Sequence, residues 1–161
     1  MGGNIELQNP RVVGGEPVAD LHVRYAPLHG IHIPRDQVPL AIDEFPVLFV
    51  AAACAHGETV LTGAEELRVK ESDRIQVMAE GLKLCGVDAT PMSDGMVIRG
   101  GAIDGGTINS RGDHRIAMSF AVAALRASAP ITIHDCANVA TSFPGFAALA
   151  RQVGMYIDVE A

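Results

Sequence analysis

The chain has 161 residues, enough for one domain or two small ones, and 48% of them are hydrophobic with a mean hydropathy of +0.24. A core can therefore be buried; with aromatics at 4% and no tryptophan, it must be built mainly of Ala, Val, Ile, Leu and Met. The net charge of −7 argues against a nucleic-acid surface, and no apolar run approaches the roughly 18 residues of a membrane span.

In chain order, NPRVVGGEP (9–17) is turn-rich and is expected to be exposed. VADLHVRYA (18–26) and LHGIHIP (28–34) alternate like strands. A helix is expected from Asp43-Glu44 to Ala55, with Pro46 in its first turn. A strand, ETVLTG (58–63), follows. Next comes a helix from Glu71-Ser72-Asp73 with Ile75, Met78, Ala79 and Leu82 on one face, closed by Gly86. Strands are expected at VDATPM (87–92), GMVIRG (95–100) and within GAIDGGTINS (101–110). The next helix opens at Asp113-His114-Arg115 and runs to Leu125, followed by the strand PITIHD (130–135). A last helix is expected from Thr141-Ser142, with Pro144 just inside, an apolar set of Phe146, Leu149, Ala150 and Val153, and Gly154 at its end. MYIDVE (155–160) reads as a closing strand.

These elements form two copies of one unit. Asp43 and Asp113 open them 70 positions apart, and each copy reads helix, strand, helix, strand. The division expected is 1–34 as strands from the edge of a preceding unit, 35–100 as a first repeat unit and 101–161 as a second, all in one domain. The helices are apolar over wide faces and are expected to be buried, while the strands are too short and mixed for a large doubly wound sheet. The fold class is α/β (α+β), helices inside and several small sheets around them.

Polar residues cluster at the helix starts. Asp43, Asp73 and Asp113 can cap helices and complement the dipole. Arg74 and Arg115 lie in first turns, against the dipole. Pairing with Glu71 three residues earlier could account for Arg74, but not for the same placement of Arg115 in the second copy. An external anion held by a helix N-terminus and an Arg fork would account for both, with Arg115 as the counterpart of Arg74. Lys70 adds a point charge. Glu71 and Asp43 then read as proton-transfer groups. His114 is a donor at the helix start, a proton shuttle or simply a satisfied polar residue. Arg68 has no role in this scheme and is expected to be solvent-exposed.

Cys54, Cys85 and Cys136 form no CxxC pair and read as buried free thiols of a reducing compartment. The histidines show no HxxxH spacing, and no GxGxxG or phosphate-loop pattern opens a helix, so neither metal nor cofactor is expected. The N-terminus does not read as a signal peptide; a cytoplasmic location is the expectation.

IDEFPVL (42–48), LRVKESDRI (67–75), DHRIAMSF (113–120) and TSFPGF (141–146), with GGEPVADLHVRYAPLHGI (14–31), resemble the C-terminal part of the 3-phosphoshikimate 1-carboxyvinyltransferase (EPSP synthase) family. The likeness extends over nearly the whole chain from about Ile5. It implies a two-domain fold of βαβαββ units, an inside-out α/β barrel with buried helices, of which this chain would be a portion lacking its N-terminal domain. It implies transfer of the enolpyruvyl group of phosphoenolpyruvate to the 5-hydroxyl of shikimate 3-phosphate, with release of phosphate, and inactivity of the chain alone. By position, Asp43 resembles the acceptor of the hydroxyl proton, Lys70 a contact to shikimate 3-phosphate and Glu71 the acid at the methylene carbon. Arg74 and Arg115 resemble the forks on phosphoenolpyruvate, with His114 beside them. Two positions depart: Thr141 stands where many members carry Lys, and Glu66 where many carry Asn. The alternatives are the sister transferase acting on a UDP-sugar and a non-catalytic binding module on the same repeat.

Overall fold

The structure is a computed structural model describing residues 1–160. It opens with an antiparallel hairpin, β1 (Asn4–Val13) and β2 (Glu16–Arg24). The turn-rich segment 9–17 is exposed, as expected, and mostly strand. Only Gly14-Gly15 turns, at φ +61° and +90°, the pair of positive values a two-residue hairpin with native twist requires. Pro10 is accommodated where the register shifts between Gln8 and Arg11, at a bulge that needs no ladder donor. Pairing sets Ile5 against Val23 and Leu7 against Leu21 on one face, and all four are exposed.

Sequence alternation groups residues 28–34 with the strands before them; their hydrogen bonds go elsewhere. They run parallel to β3 (Glu58–Leu61): Gly30 N donates to His56 O at 2.8 Å, Val60 N to Ile31 O at 2.9 Å and Ile33 N to Val60 O at 2.9 Å. Between the two lies α1 (Phe45–Ala53), entered through a 3-10 turn at Ile42–Glu44 with Pro in the first helical turn. After β3 come a 3-10 turn at Glu65–Val69, then α2 (Arg74–Leu84), β4 (Asp88–Met92) and β5 (Gly95–Arg99). The last two pair with β3 in the antiparallel order β3-β5-β4. From residue 28 to 99 the order is thus strand, helix, strand, helix, strand, strand.

The second copy repeats the parallel half. β6 (Gly106–Asn109) and β7 (Ile131–His134) pair in parallel, with α3 (His114–Ala123) crossing between them. Its second half departs from expectation. The helix expected from Thr141-Ser142 is two short ones, α4 (Asn138–Ser142) and α5 (Phe146–Gln152). Pro144 drives Phe143 out of helical geometry, to φ −138° and ψ 77°, and Gly145 at φ +85° starts the chain again. Thr141 and Ser142 therefore end a helix instead of capping one. α5 buries only Ala150, while Leu149 and Val153 are exposed. Residues 155–160, expected as a strand, form no ladder; β4 has β5 to pair with, and they have no such neighbour among the described residues.

The core lies where α1, α2 and α3 meet under the small sheets: Phe45, Phe49, Ile75, Met78, Leu82, Ile116 and Phe120 are essentially without exposure. Gly81, in the middle of α2, costs about 1 kcal/mol of helix propensity. It is needed because a Cβ there would fall 2.3 Å from the ring of Phe120. The close crossing of α2 and α3 brings their N-terminal ends together with that of α1.

Candidate active site

The three helix starts differ in how they are capped. Asp113 is the N-cap of α3: its Oδ1 accepts from Arg115 N at 2.9 Å and Ile116 N at 3.4 Å, and the residue has 0% exposure. Asp73 caps α2, accepting from Gln76 N at 3.0 Å. Asp43, which the sequence offers as a cap for α1, caps nothing. The N-cap position there is Glu44, without a side-chain bond. The 3-10 turn leaves the Asp43 carboxylate 44% exposed and pointing at side chains of the neighbouring helix start.

Arg74 joins all of them. Its side chain is 1% exposed. Nε donates to Asp113 Oδ2 at 2.8 Å, Nη1 to Asp43 Oδ1 at 3.0 Å, and Nη2 to Glu71 Oε2 at 2.6 Å and more weakly to Asp113 Oδ1 at 3.4 Å. Ser72 Oγ donates to the same Asp113 oxygen at 3.0 Å. Burial works against the charges of both Arg74 and Asp113. Their bonds to each other, with those of Arg74 to Glu71 and Asp43 and of Asp113 to Ser72 and Arg115 N, together outweigh it, so the guanidinium is held above its ordinary pKa and the carboxyl below its ordinary value. At Asp43 desolvation pushes up, but Lys70, Arg115 and Arg74 together bring its pKa below the ordinary value. It stays a carboxylate at neutral pH.

The remaining sequence-predicted residues surround this pair. Lys70 Nζ lies 2.5 Å from Glu66 Oε1 and 3.5 Å from Asp43 Oδ1; the bond to Glu66 is the main reason its pKa is raised. Glu71 is half exposed. Arg115, about a third exposed at 32%, reaches back from α3 to the start of α1, to Asp43 O at 2.9 Å and Glu44 Oε1 at 3.2 Å. His114 is the first residue of α3 and half-buried. All six candidates are thus brought into one region where three helices begin.

Three readings of the sequence are revised by this geometry. Arg74 and Arg115 are not counterparts: Arg74 starts the second helix of its copy, Arg115 the first helix of the next, and the place equivalent to Arg115 is held by Phe45. Nor is an external anion needed to explain cations at helix starts, because protein carboxylates and a carbonyl answer both. Arg68 is also not a solvent-exposed bystander. It donates from Nε to Ser93 O at 2.8 Å, from Nη1 to Asp73 Oδ2 at 2.5 Å and from Nη2 to Met92 O. Sequence reasoning missed Ser72 and Glu44 as partners; the i, i+4 spacing of Glu66 and Lys70 was the signal available for that pair. The three cysteines are free, and only Cys85 is fully buried. Among the described residues no group of three His, Cys, Asp or Glu side chains could hold a metal, and no helix is long and apolar enough to cross a membrane.

A cluster of this composition at converging helix starts can hold polyanionic ligands and move protons beside them. Comparison with known proteins gives it a family. The model of the family "EPSP synthase (3-phosphoshikimate 1-carboxyvinyltransferase)" matches residues 1–149. The chain belongs to the EPSP synthase family. It is 71% identical to the 3-phosphoshikimate 1-carboxyvinyltransferase of Methylococcus capsulatus, over 99% of this chain and 36% of that protein. The enzyme of Nitrosococcus oceani is 64% identical over 98% of this chain and 35% of its own length. An EPSP synthase structure from Acinetobacter baumannii superimposes with a TM-score of 0.97 at 58% identity, covering the whole of this chain and 38% of that one. The fold is accordingly that of the EPSP synthase inside-out α/β barrel, here with its helices packed inside and its small sheets around them. The chain spans a little over a third, 36%, of the length of the Methylococcus relative.

Proposed function

We propose that the chain forms one wall of the active site of a 3-phosphoshikimate 1-carboxyvinyltransferase. The reaction would transfer the enolpyruvyl group of phosphoenolpyruvate to the 5-hydroxyl of shikimate 3-phosphate and release phosphate, on the route to chorismate. The observation that carries this reading is the family match over residues 1–149, together with the gathering of Asp43, Lys70, Glu71, Arg74 and Arg115 around one point. Addition followed by elimination needs a base at the attacking oxygen, an acid at the methylene carbon and cations on the departing phosphate. Asp43, held ionised, takes the hydroxyl proton. Glu71 supplies the proton to carbon in the addition; in the elimination one proton leaves the resulting methyl group as the C–O bond to phosphate breaks, which restores the double bond. Lys70 lies beside Asp43 to meet shikimate 3-phosphate, and Arg115, with His114 next to it, faces the anionic groups of phosphoenolpyruvate. Arg74 is anchored inwardly on Asp113, and its outer contacts, to the half-exposed Asp43 and Glu71, are those an anionic ligand can exchange.

Residues 35–100 and 101–161 act as two repeat units of the domain, with 1–34 contributing strands at the edge of a preceding unit. The chain spans 36% of the Methylococcus relative's length; on this reading the opposing wall comes from the remainder, and the 161 residues alone are expected to release no phosphate from phosphoenolpyruvate. The enzyme works in the cytoplasm. The test is turnover by a protein of the relatives' full length carrying this chain. Glu71→Gln is expected to lower kcat by about 10²–10⁴-fold, and Arg115→Ala to lower kcat/KM for phosphoenolpyruvate. Unchanged turnover in both variants would overturn the catalytic reading in favour of a binding module.

A further inference from the structure

Lys70 and Glu71 belong to a stretch without regular hydrogen bonding. The 3-10 turn ends at Val69, and α2 begins at Arg74 with Asp73 O accepting its first bond, from Val77 N at 2.9 Å; neither element's ladder holds residues 70–72. Leu67, fully buried, anchors the turn to the core; Val69, 81% exposed, anchors nothing. Two groups required to meet reacting atoms within a few tenths of an ångström therefore sit on backbone outside any helix or strand.

Side chains tie the middle of the stretch, Glu71 to Arg74 and Ser72 to Asp113; Arg68 holds its ends. One guanidinium spans both ends of the stretch, through Asp73 on the far side and the carbonyls of Met92, at the end of β4, and Ser93, in the β4–β5 turn. Asp73 Oδ1 meanwhile caps α2, so Arg68 and the helix start share one carboxylate. The β4–β5 turn is tied back ahead of the 3-10 turn: Asp94 Oδ2 accepts from Gly63 N and Asp94 O from Ala64 N, both at 2.7 Å. The loop of Lys70 and Glu71 is thus closed onto the antiparallel sheet at both ends. Accepting the roles proposed above for these two residues, we infer that Arg68 is a positioning residue for the reaction. It touches no substrate and acts by fixing where Lys70 and Glu71 stand. A lysine cannot replace it, because one ammonium cannot reach three acceptors that a planar fork meets together.

The experiment is kinetics and hydrogen exchange on the full-length enzyme carrying this chain, comparing Arg68→Ala, Arg68→Lys and Glu71→Gln. Arg68→Ala is expected to lower kcat by about 100-fold, the scale of an ångström misplacement, with KM for phosphoenolpyruvate changed less than about threefold. Arg68→Lys should recover little of the loss. Peptides covering 69–74 should exchange faster in Arg68→Ala, while those of α3 and β5 stay as in the parent enzyme. Full activity of Arg68→Ala, or a loss accompanied by faster exchange throughout the molecule, would overturn the positioning role. Glu71→Gln separates the failures. If it keeps full activity, the role proposed for Glu71 fails and the inference with it. If it is inactive while Arg68→Ala is active, only the inference falls.

Discussion

Asp43 and Asp113 occupy the same place in the two copies, with Phe45 and Arg115 each two residues further on, yet they have been put to opposite uses. Asp113 is wholly buried and spends its oxygens on two backbone N–H groups, Ser72 and Arg74. Asp43 lies on a 3-10 turn, caps nothing and keeps 44% of its side chain open to solvent. Arg74 links the two, fixed by the first and offered to the second. An internal repeat thus supplies two carboxylates, and capping decides which is structural and which is free for chemistry.

The comparison breaks most sharply at Asp113. Asp113→Asn keeps a cap acceptor but leaves the guanidinium of Arg74 buried with its anchoring charge gone. Loss of one partner of a buried pair is expected to cost about 3–5 kcal/mol, a large part of a typical 5–15 kcal/mol total, read as a lower midpoint in urea. The same pair sets the acid limit. The folded-state pKa of Asp113 lies below its unfolded value, so its stabilisation is present above about pH 4 and is lost as pH falls through the folded value. Unfolding midpoints of the parent should therefore drop below that pH, and Asp113→Asn should remove much of the slope.

At Asp43 the expectation reverses. Asp43→Asn should cost less than about 1 kcal/mol, as for an exposed pair, while turnover of the full-length enzyme falls by about 10²-fold or more. A stability loss as large as that of Asp113→Asn would erase the distinction. The smallest effect is expected at Glu44. Its pairing with Arg115 is 62% exposed on the Glu side, and Glu44→Gln should change stability by about 0.5 kcal/mol or less in the same unfolding assay.

Much of this molecule is written locally. The helical spacing of Ile75, Met78, Ala79 and Leu82, the cap at Asp73, Gly86 after α2 and the parallel placement of Asp43 and Asp113 are readable because period and capping act within a few residues. The motifs around Lys70 and His114 carried the family and hence the fold. What needed the tertiary structure lies across long separations. Arg68 meets carbonyls 24 and 25 residues away. Arg74 meets carboxylates 31 and 39 away, and residues 28–33 choose β3 over the nearer β2. Short alternating strands carry no mark of their partner, and an arginine's charge does not say whether solvent, ligand or a buried carboxylate will answer it. Those choices were made when α1, α2 and α3 packed closely enough for their N-termini to share one guanidinium.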